Sequence, residues 1–147
     1  MKFSEFGFLK MTAAFGTSGL RGRAIDFIQD VCTGYVRAFL ERCASQAAAR
    51  VVYVAADLRD SSPRIAGQCL AAVKAVGWEP IWAGNVPTPA VAAYAMARSA
   101  PAIMITGSHI PEAYNGIKFY RPDGETSRKT KRRYGTAPRK LSLKAAR

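Results

Sequence analysis

The stretch VVYVAADLRDSSPRIAGQCLAAVKAVGWEPIWA, residues 51–83, decides the fold. It opens with six apolar residues, Val51 to Ala56, the pattern of a strand buried on both faces. A polar turn follows, from Asp57 to Pro63. Ser62 suits a helix cap, and Pro63 suits the first helical position, where a missing N–H costs nothing. Ile65, Cys69, Val73 and Val76 then recur at helical spacing, and Gly77 stops the helix. Glu79 to Ala83 is a second short strand, so the stretch is a strand–helix–strand unit.

The same alternation continues on both sides. Upstream, Asp30 to Gln46 reads as a helix capped by Asp30, with Val36, Phe39, Leu40 and Cys43 on one face. Downstream, the loop from Gly84 to Pro89 leads to a helix from Pro89 to Arg98. A strand from Ala102 to Thr106, a loop from Gly107 to Tyr114 and an extended segment from Ile117 to Tyr120 complete the pattern. Helices alternating with strands predict an α/β class, a three-layer α/β/α domain with a largely parallel mixed sheet. In such sheets functional loops lie at the carboxyl ends of strands. The loops after Ala56, Ala83 and Thr106 are therefore expected to share one edge.

A chain of 147 residues, 49% of them hydrophobic, can bury a real core in one domain. Its net charge of +12 suggests nucleic acid, but the distribution argues otherwise. Residues 1–125 hold 13 Lys/Arg against 10 Asp/Glu, whereas residues 126–147 hold nine and none. The excess is a tail, which would attract nucleic acid only nonspecifically. No apolar run approaches a membrane span, and the first residues are too mixed for a signal peptide. The expected address is cytoplasmic, with no membrane partner. Cys32, Cys43 and Cys69 match no zinc spacing and read as small buried hydrophobes.

The segment TGSHIPEAYNGIK, residues 106–118, concentrates chemistry. A strand end and a glycine precede a serine, Ser108, beside the chain's one histidine, His109. Gly107 allows backbone conformations closed to other residues and lets a ligand approach closely. Lys118 adds a cation. An exposed serine with donors and a cation nearby suits a phosphate-carrying nucleophile. The bland alternative is a turn serine and a structural histidine, since adjacent residues need not face each other. The residues alone leave the two readings balanced.

The segment TGSHIPEAYNGIKFY, residues 106–120, resembles the phosphoserine loop of the α-D-phosphohexomutases, the phosphomannomutase/phosphoglucomutase family. That loop is written T-A/G-S-H-N-P followed by Y-N-G-x-K, and Ile110 stands where the family has asparagine. FGTSGLRG, residues 15–22, resembles the family's G-T-S-G-x-R-G signature. VAADLRDSSPRIA resembles its D-x-R-x-S turn, in which Asp57 and Arg59 could simply organise the backbone. GNVPTPAVAAYA resembles its G-x-x-P-T-P loop. The likeness spans residues 13–125. It leaves 1–12 as a lead-in and 126–147 as a basic tail expected to be disordered.

The resemblance implies an intramolecular phosphotransferase acting on mannose or glucose 1- or 6-phosphate. Ser108 would carry the phosphoryl group, with His109, Lys118 and Arg21 in catalytic roles. Thr17, Ser18 and Asn115 would bind phosphate or substrate. It also implies Mg2+, which Ser108 would contact through its phosphate. The family's other metal ligands, in a D-G-D-x-D-R loop, do not occur in these residues. Little turnover by these residues alone is therefore expected. After Glu125 the family continues in a pattern like I-T-K-x-D-E-x-A-I, and this chain has TSRKTKRRY. With two nucleotides of the Thr126 codon dropped, compatible codons permit I-T-K-D-E-E-A-I-R. The tail thus reads either as a frameshift product or as a genuine basic element. A non-catalytic module on nucleic acid and a functionless gene fragment are the rival readings. The oligomeric state is left open.

Overall fold

Residues 14–16 and 19–125 are described in the computed structural model of the chain, with side chains from 19 to 124. The lead-in, Thr17, Ser18 and the basic tail lie outside the described residues. Seven strands form one sheet: β1 (Ala14–Gly16), β2 (Gly19–Arg23), β3 (Val51–Ala56), β4 (Glu79–Gly84), β5 (Ala102–Ile105), β6 (Tyr114–Arg121) and β7 (Gly124–Glu125). Among the described residues three helices accompany them: α1 (Gln29–Cys43), α2 (Ser62–Ala75) and α3 (Thr88–Met96). A single 3-10 turn, Ala24–Asp26, joins β2 to α1.

The strand order is β1-β2-β6-β5-β3-β4, with β7 paired to β6. The α/β class and the mixed sheet are as the sequence predicts. Its parallel part is β4-β3-β5, and the other pairs are antiparallel. The reason lies between β5 and β6. Parallel neighbours need a long crossover, usually a helix. Only a loop connects these two strands, so β6 returns antiparallel and β2 adds to it antiparallel again.

The sheet separates two apolar clusters, giving the three layers. On one face α1 and α2 bury Val36, Phe39, Leu40, Ile65, Cys69 and Val73 against Val52, Val54, Ile103 and Ile105. Each such large side chain contributes roughly 1.5–3 kcal/mol when fully buried. On the other face α3 packs Val91 and Ala95 against Ala55, Ala102 and Met104. All three cysteines are buried free thiols. Among the described residues, no helix is long and apolar enough to cross a membrane.

All three helix starts differ from the sequence reading, α3 only by beginning one residue earlier, at Thr88. The cap position of α1 is Ile28, and Asp30 lies inside the first turn. There its charge still complements the helix dipole. The cap of α2 is Ser61, and Ser62 is already helical. The Ser62 hydroxyl does not cap the helix because it donates to the Asp57 carboxylate instead.

Candidate active site

Three loops leave the carboxyl ends of β3, β4 and β5, and they meet. From the β4 loop, the Asn85 amide donates to the carbonyls of Ala56 (3.2 Å) and Asp57 (3.1 Å). The backbone amide of Asp57 donates to the Ile105 carbonyl at 2.9 Å. The Asp57 carboxylate accepts from the backbone amides of Arg59 (3.2 Å) and Gly107 (3.0 Å) and from the Ser62 hydroxyl. Burial pushes the Asp57 carboxyl up. The bonds from Ser62, Gly107, Arg59 and Thr106 outweigh it, and the net shift is downward. Asp57 therefore stays ionised and anchors the start of the Ser108 loop.

Arg59 anchors the rest of that loop. Its Nη2 donates to the carbonyls of Ser108 (3.3 Å) and Ile110 (2.5 Å), and its Nη1 to those of Pro111 (3.0 Å) and Tyr114 (3.3 Å). Its Nε lies 3.5 Å from Asp57 Oδ2, and Nη1 lies 3.6 Å from Glu112 Oε2. Glu112 also accepts from the Asp60 amide at 3.1 Å. The guanidinium lies on Gly107, where a Cβ would come within 2.1 Å of Nε. The glycine read as making room for a ligand makes room for this arginine.

Ser108 is exposed and has φ of 52°, in the left-handed region that non-glycine residues seldom enter. Its amide donates to the Thr106 hydroxyl at 3.1 Å. Such a conformation persists only where surrounding bonds enforce it. Here the enforcing groups are Arg59 and the Asp57–Gly107 bond. His109 beside it is exposed as well.

Arg21 and Lys118 share one face of the sheet. Arg21 is the cross-strand partner of Gly116, and a Cβ on Gly116 would lie 3.4 Å from Arg21 Cγ. Lys118, two residues on in β6, points to that same face. It is the α3 side, because Lys118 pairs with Met104 and alternates with Ile117 and Phe119 of the opposite cluster. The same Gly116 Cβ would meet the Thr106 carbonyl at 2.9 Å, so the Arg21 stem runs beside the start of the Ser108 loop. Neither cation makes a hydrogen bond or ion pair with another described residue. Among the described residues, the helix α3 packs mainly on β3 and β5.

Asn115 behaves differently from the expectation. It is fully buried, and its amide nitrogen donates to the hydroxyls of Ser61 (2.8 Å) and Ser62 (3.0 Å). Its oxygen accepts from the Gly116 amide at 2.8 Å. With both ends of the amide engaged below the surface, Asn115 ties β6 to α2 and offers nothing to a phosphate. Thr17 and Ser18 fall outside the described residues. Among the described residues, no group of three or more His, Cys, Asp or Glu side chains could hold a metal. The carboxylates of Asp57 and Glu112, close to the loop, are engaged with Arg59. The side chains present therefore do not make a magnesium site by themselves.

Residues 12–133 match the family description phosphoglucomutase/phosphomannomutase, alpha/beta/alpha domain I. The chain belongs to this family. It is 46% identical over 121 residues to a phosphomannomutase of Sinorhizobium fredii, covering 80% of this chain and 26% of that protein. It is 44% identical to a phosphomannomutase of Salmonella muenchen, covering 78% and 24%. A solved phosphoglucomutase/phosphomannomutase family protein from Burkholderia thailandensis superposes with a TM-score of 0.59 at 30% identity. That match covers 74% of this chain and 25% of the other. The chain thus spans about a quarter of the length of the curated relatives it matches.

Sequence reasoning picked out Ser108, His109, Arg21 and Lys118, and the fold brings all four to one edge or its adjoining face. It gave Arg59 only a turn-organising role. Four of that arginine's partners are backbone carbonyls, which no side-chain pattern reveals. The usable signal was its position, three residues past the end of β3 at the edge where the loops meet.

Proposed function

We propose that this chain is the phosphoryl-carrying domain of a hexose-phosphate mutase, with the group held on Ser108. The observation that carries the reading is an exposed serine at φ 52° on the loop that leaves β5, with Arg21 and Lys118 on the adjoining strands β2 and β6 and without a partner among the described residues. A dianionic phosphoryl group on Ser108 would meet positive charge already in place, the arrangement that favours transfer. In the step itself, a sugar hydroxyl attacks phosphorus. The bond from phosphorus to Ser108 Oγ breaks as the bond to the sugar oxygen forms. The sugar proton leaves, with the His109 imidazole as its acceptor, while Lys118 stays a cation. The hexose bisphosphate then turns over and returns its other phosphate to Ser108. The net change interconverts a 6-phosphate and a 1-phosphate, of mannose or glucose.

Magnesium would supply charge neutralisation at the transferring group, and this chain's contribution to binding it would be the Ser108 phosphate. These 147 residues alone are expected to give no turnover approaching ordinary enzyme rates of about 1–10³ s⁻¹. A coupled assay with glucose 1-phosphate or mannose 1-phosphate, magnesium and a bisphosphate activator checks this.

The site itself is tested by titrating the chain with glucose 1,6-bisphosphate and following backbone amide resonances. Shifts centred on Gly107–His109, lost in both Arg21→Ala and Lys118→Ala, are the expected result. Shifts elsewhere, or shifts indifferent to both substitutions, would refute the assignment.

A further inference from the structure

The family likeness directs attention to the serine, yet the loop that presents it is held by a residue whose guanidinium is engaged with backbone carbonyls. We infer that Arg59 is the positioning residue of the Ser108 nucleophile: its guanidinium sets the loop geometry that turns the serine toward the cations of β2 and β6. This inference rests on reading Ser108 as the phosphoryl carrier.

The argument is a count of donors. A guanidinium has five N–H groups in a planar fork. The four on Nη1 and Nη2 face the carbonyls of Ser108, Ile110, Pro111 and Tyr114, and the fifth faces Asp57. Those carbonyls span both ends of the loop between β5 and β6, so a single side chain closes it. The side chain is 13% exposed, and loss of the guanidinium would leave those carbonyls facing an unfilled space. Water could reach some of them, but it cannot hold four in fixed relation. Gly107 is the other half of the device, since any side chain there would collide with the guanidinium. The strained φ at Ser108 is the conformation these bonds enforce.

Lysine cannot replace this arginine. An ammonium has three donors around a point, so it could keep the attraction to Asp57 and Glu112 while losing the fork. The role therefore lies in geometry and not in charge, and that distinction can be measured. It also separates Arg59 from Asp57, which anchors only the entry to the loop at Gly107.

The test needs no turnover. Ser108→Cys puts a thiol at the carrier position, and the three native thiols are buried. Burial also pushes the Cys43 thiol up to about 12. The measured quantity is the ratio of labelling rates with an anionic and a neutral thiol reagent, at low salt, in the full chain. With Arg59 present, the anionic reagent should be favoured by about tenfold over a cysteine in an unstructured peptide, because two cations sit nearby. In Ser108→Cys/Arg59→Lys that preference should fall to the peptide value while the amides of β3 and β5 stay protected from exchange. In Ser108→Cys/Arg59→Ala, millimolar guanidinium should restore the preference, whereas sodium at equal ionic strength should not.

No anion preference in the Ser108→Cys chain that keeps Arg59 would overturn the reading of Ser108 as a carrier, and this inference with it. A preference that survives Arg59→Lys would overturn the inference about Arg59 alone. If Arg59→Ala fails to fold, Arg59→Lys still decides.

Discussion

On the face covered by α1 and α2, Phe27, Phe39, Leu40, Ile65 and Val73 are all at most 1% exposed; on the α3 side and the β4 edge, Ile81, Trp82 and Tyr94 keep 37%, 46% and 50%. The difference follows from the helices. Two helices of 15 and 14 residues, each with one apolar stripe, close the first face. The second has α3 alone, nine residues of TPAVAAYAM with little polar side to turn outward. It packs mainly on β3 and β5, with a flank on either side. One flank carries Arg21 and Lys118. The other is an apolar cleft of about 330 Å³ lined by Tyr53, Ile81, Trp82, Val86, Val91 and Tyr94. The large buried side chains are thus concentrated on the face covered by α1 and α2.

The largest effect that would test this division comes from matched aromatic truncations. Phe39 is 1% exposed and lies with its ring centroid 5.0 Å from that of Phe119. Phe39→Ala should cost about 3–5 kcal/mol in chemical denaturation, enough to leave a small domain barely folded. Tyr94 stacks edge-on to Tyr53 at 5.2 Å and carries Arg98 over its ring at 3.4 Å, but half of it faces water. Tyr94→Ala should cost about 1 kcal/mol. Equal losses in the two variants would break the comparison.

A smaller effect concerns the loop edge, where polar bonds replace packing. Asp57→Asn keeps the shape and removes the charge that holds the amides of Arg59 and Gly107. At neutral pH it should cost about 2 kcal/mol, within the range for hydrogen bonds to a charged group. The folded-state pKa of Asp57 is depressed. Its contribution is therefore present above the unfolded value and is lost as pH falls through the folded one. The stability gap between Asp57→Asn and the parent should be widest near neutrality and should narrow below about pH 4. A gap that stays constant down to acid pH would show that the carboxylate charge does not carry the anchor.

The same division explains what the sequence made legible. The closed face announces itself by period: Val36, Phe39, Leu40 and Cys43 recur as a helix must, and all four are buried. The strands read easily for the same reason. The loop edge was found through Ser108 and its neighbours, but its construction was hidden. The partners of Arg59 are carbonyls from 49 to 55 residues away, and a pattern of side chains carries no record of them. Asn115 was read as a phosphate or substrate ligand from its place near a phosphate motif, and its amide engages Ser61, Ser62 and Gly116. Its burial depends on how β6 lies over the start of α2, a tertiary fact. The antiparallel half of the sheet was similarly out of reach, since it turns on the loop after β5 having no helix.

The smallest effect is expected on the apolar flank itself. Ile81 lies on β4, the edge strand of the parallel half, where unpaired backbone groups and apolar side chains together invite association. A lysine there would remove part of the exposed apolar surface and put a charge on the edge. Because Ile81 is 37% exposed, a long side chain can lie along the cleft and keep its ammonium in water. Ile81→Lys should change stability by no more than about 0.5–1 kcal/mol. It should also lower the concentration dependence of light scattering. The control is Lys118→Ile, which adds apolar surface to the other open flank and should raise that dependence. If Ile81→Lys instead destabilises the chain by as much as Phe39→Ala does, then the α3 side is closed in solution after all. The contrast between the two faces would then not hold for the chain in solution.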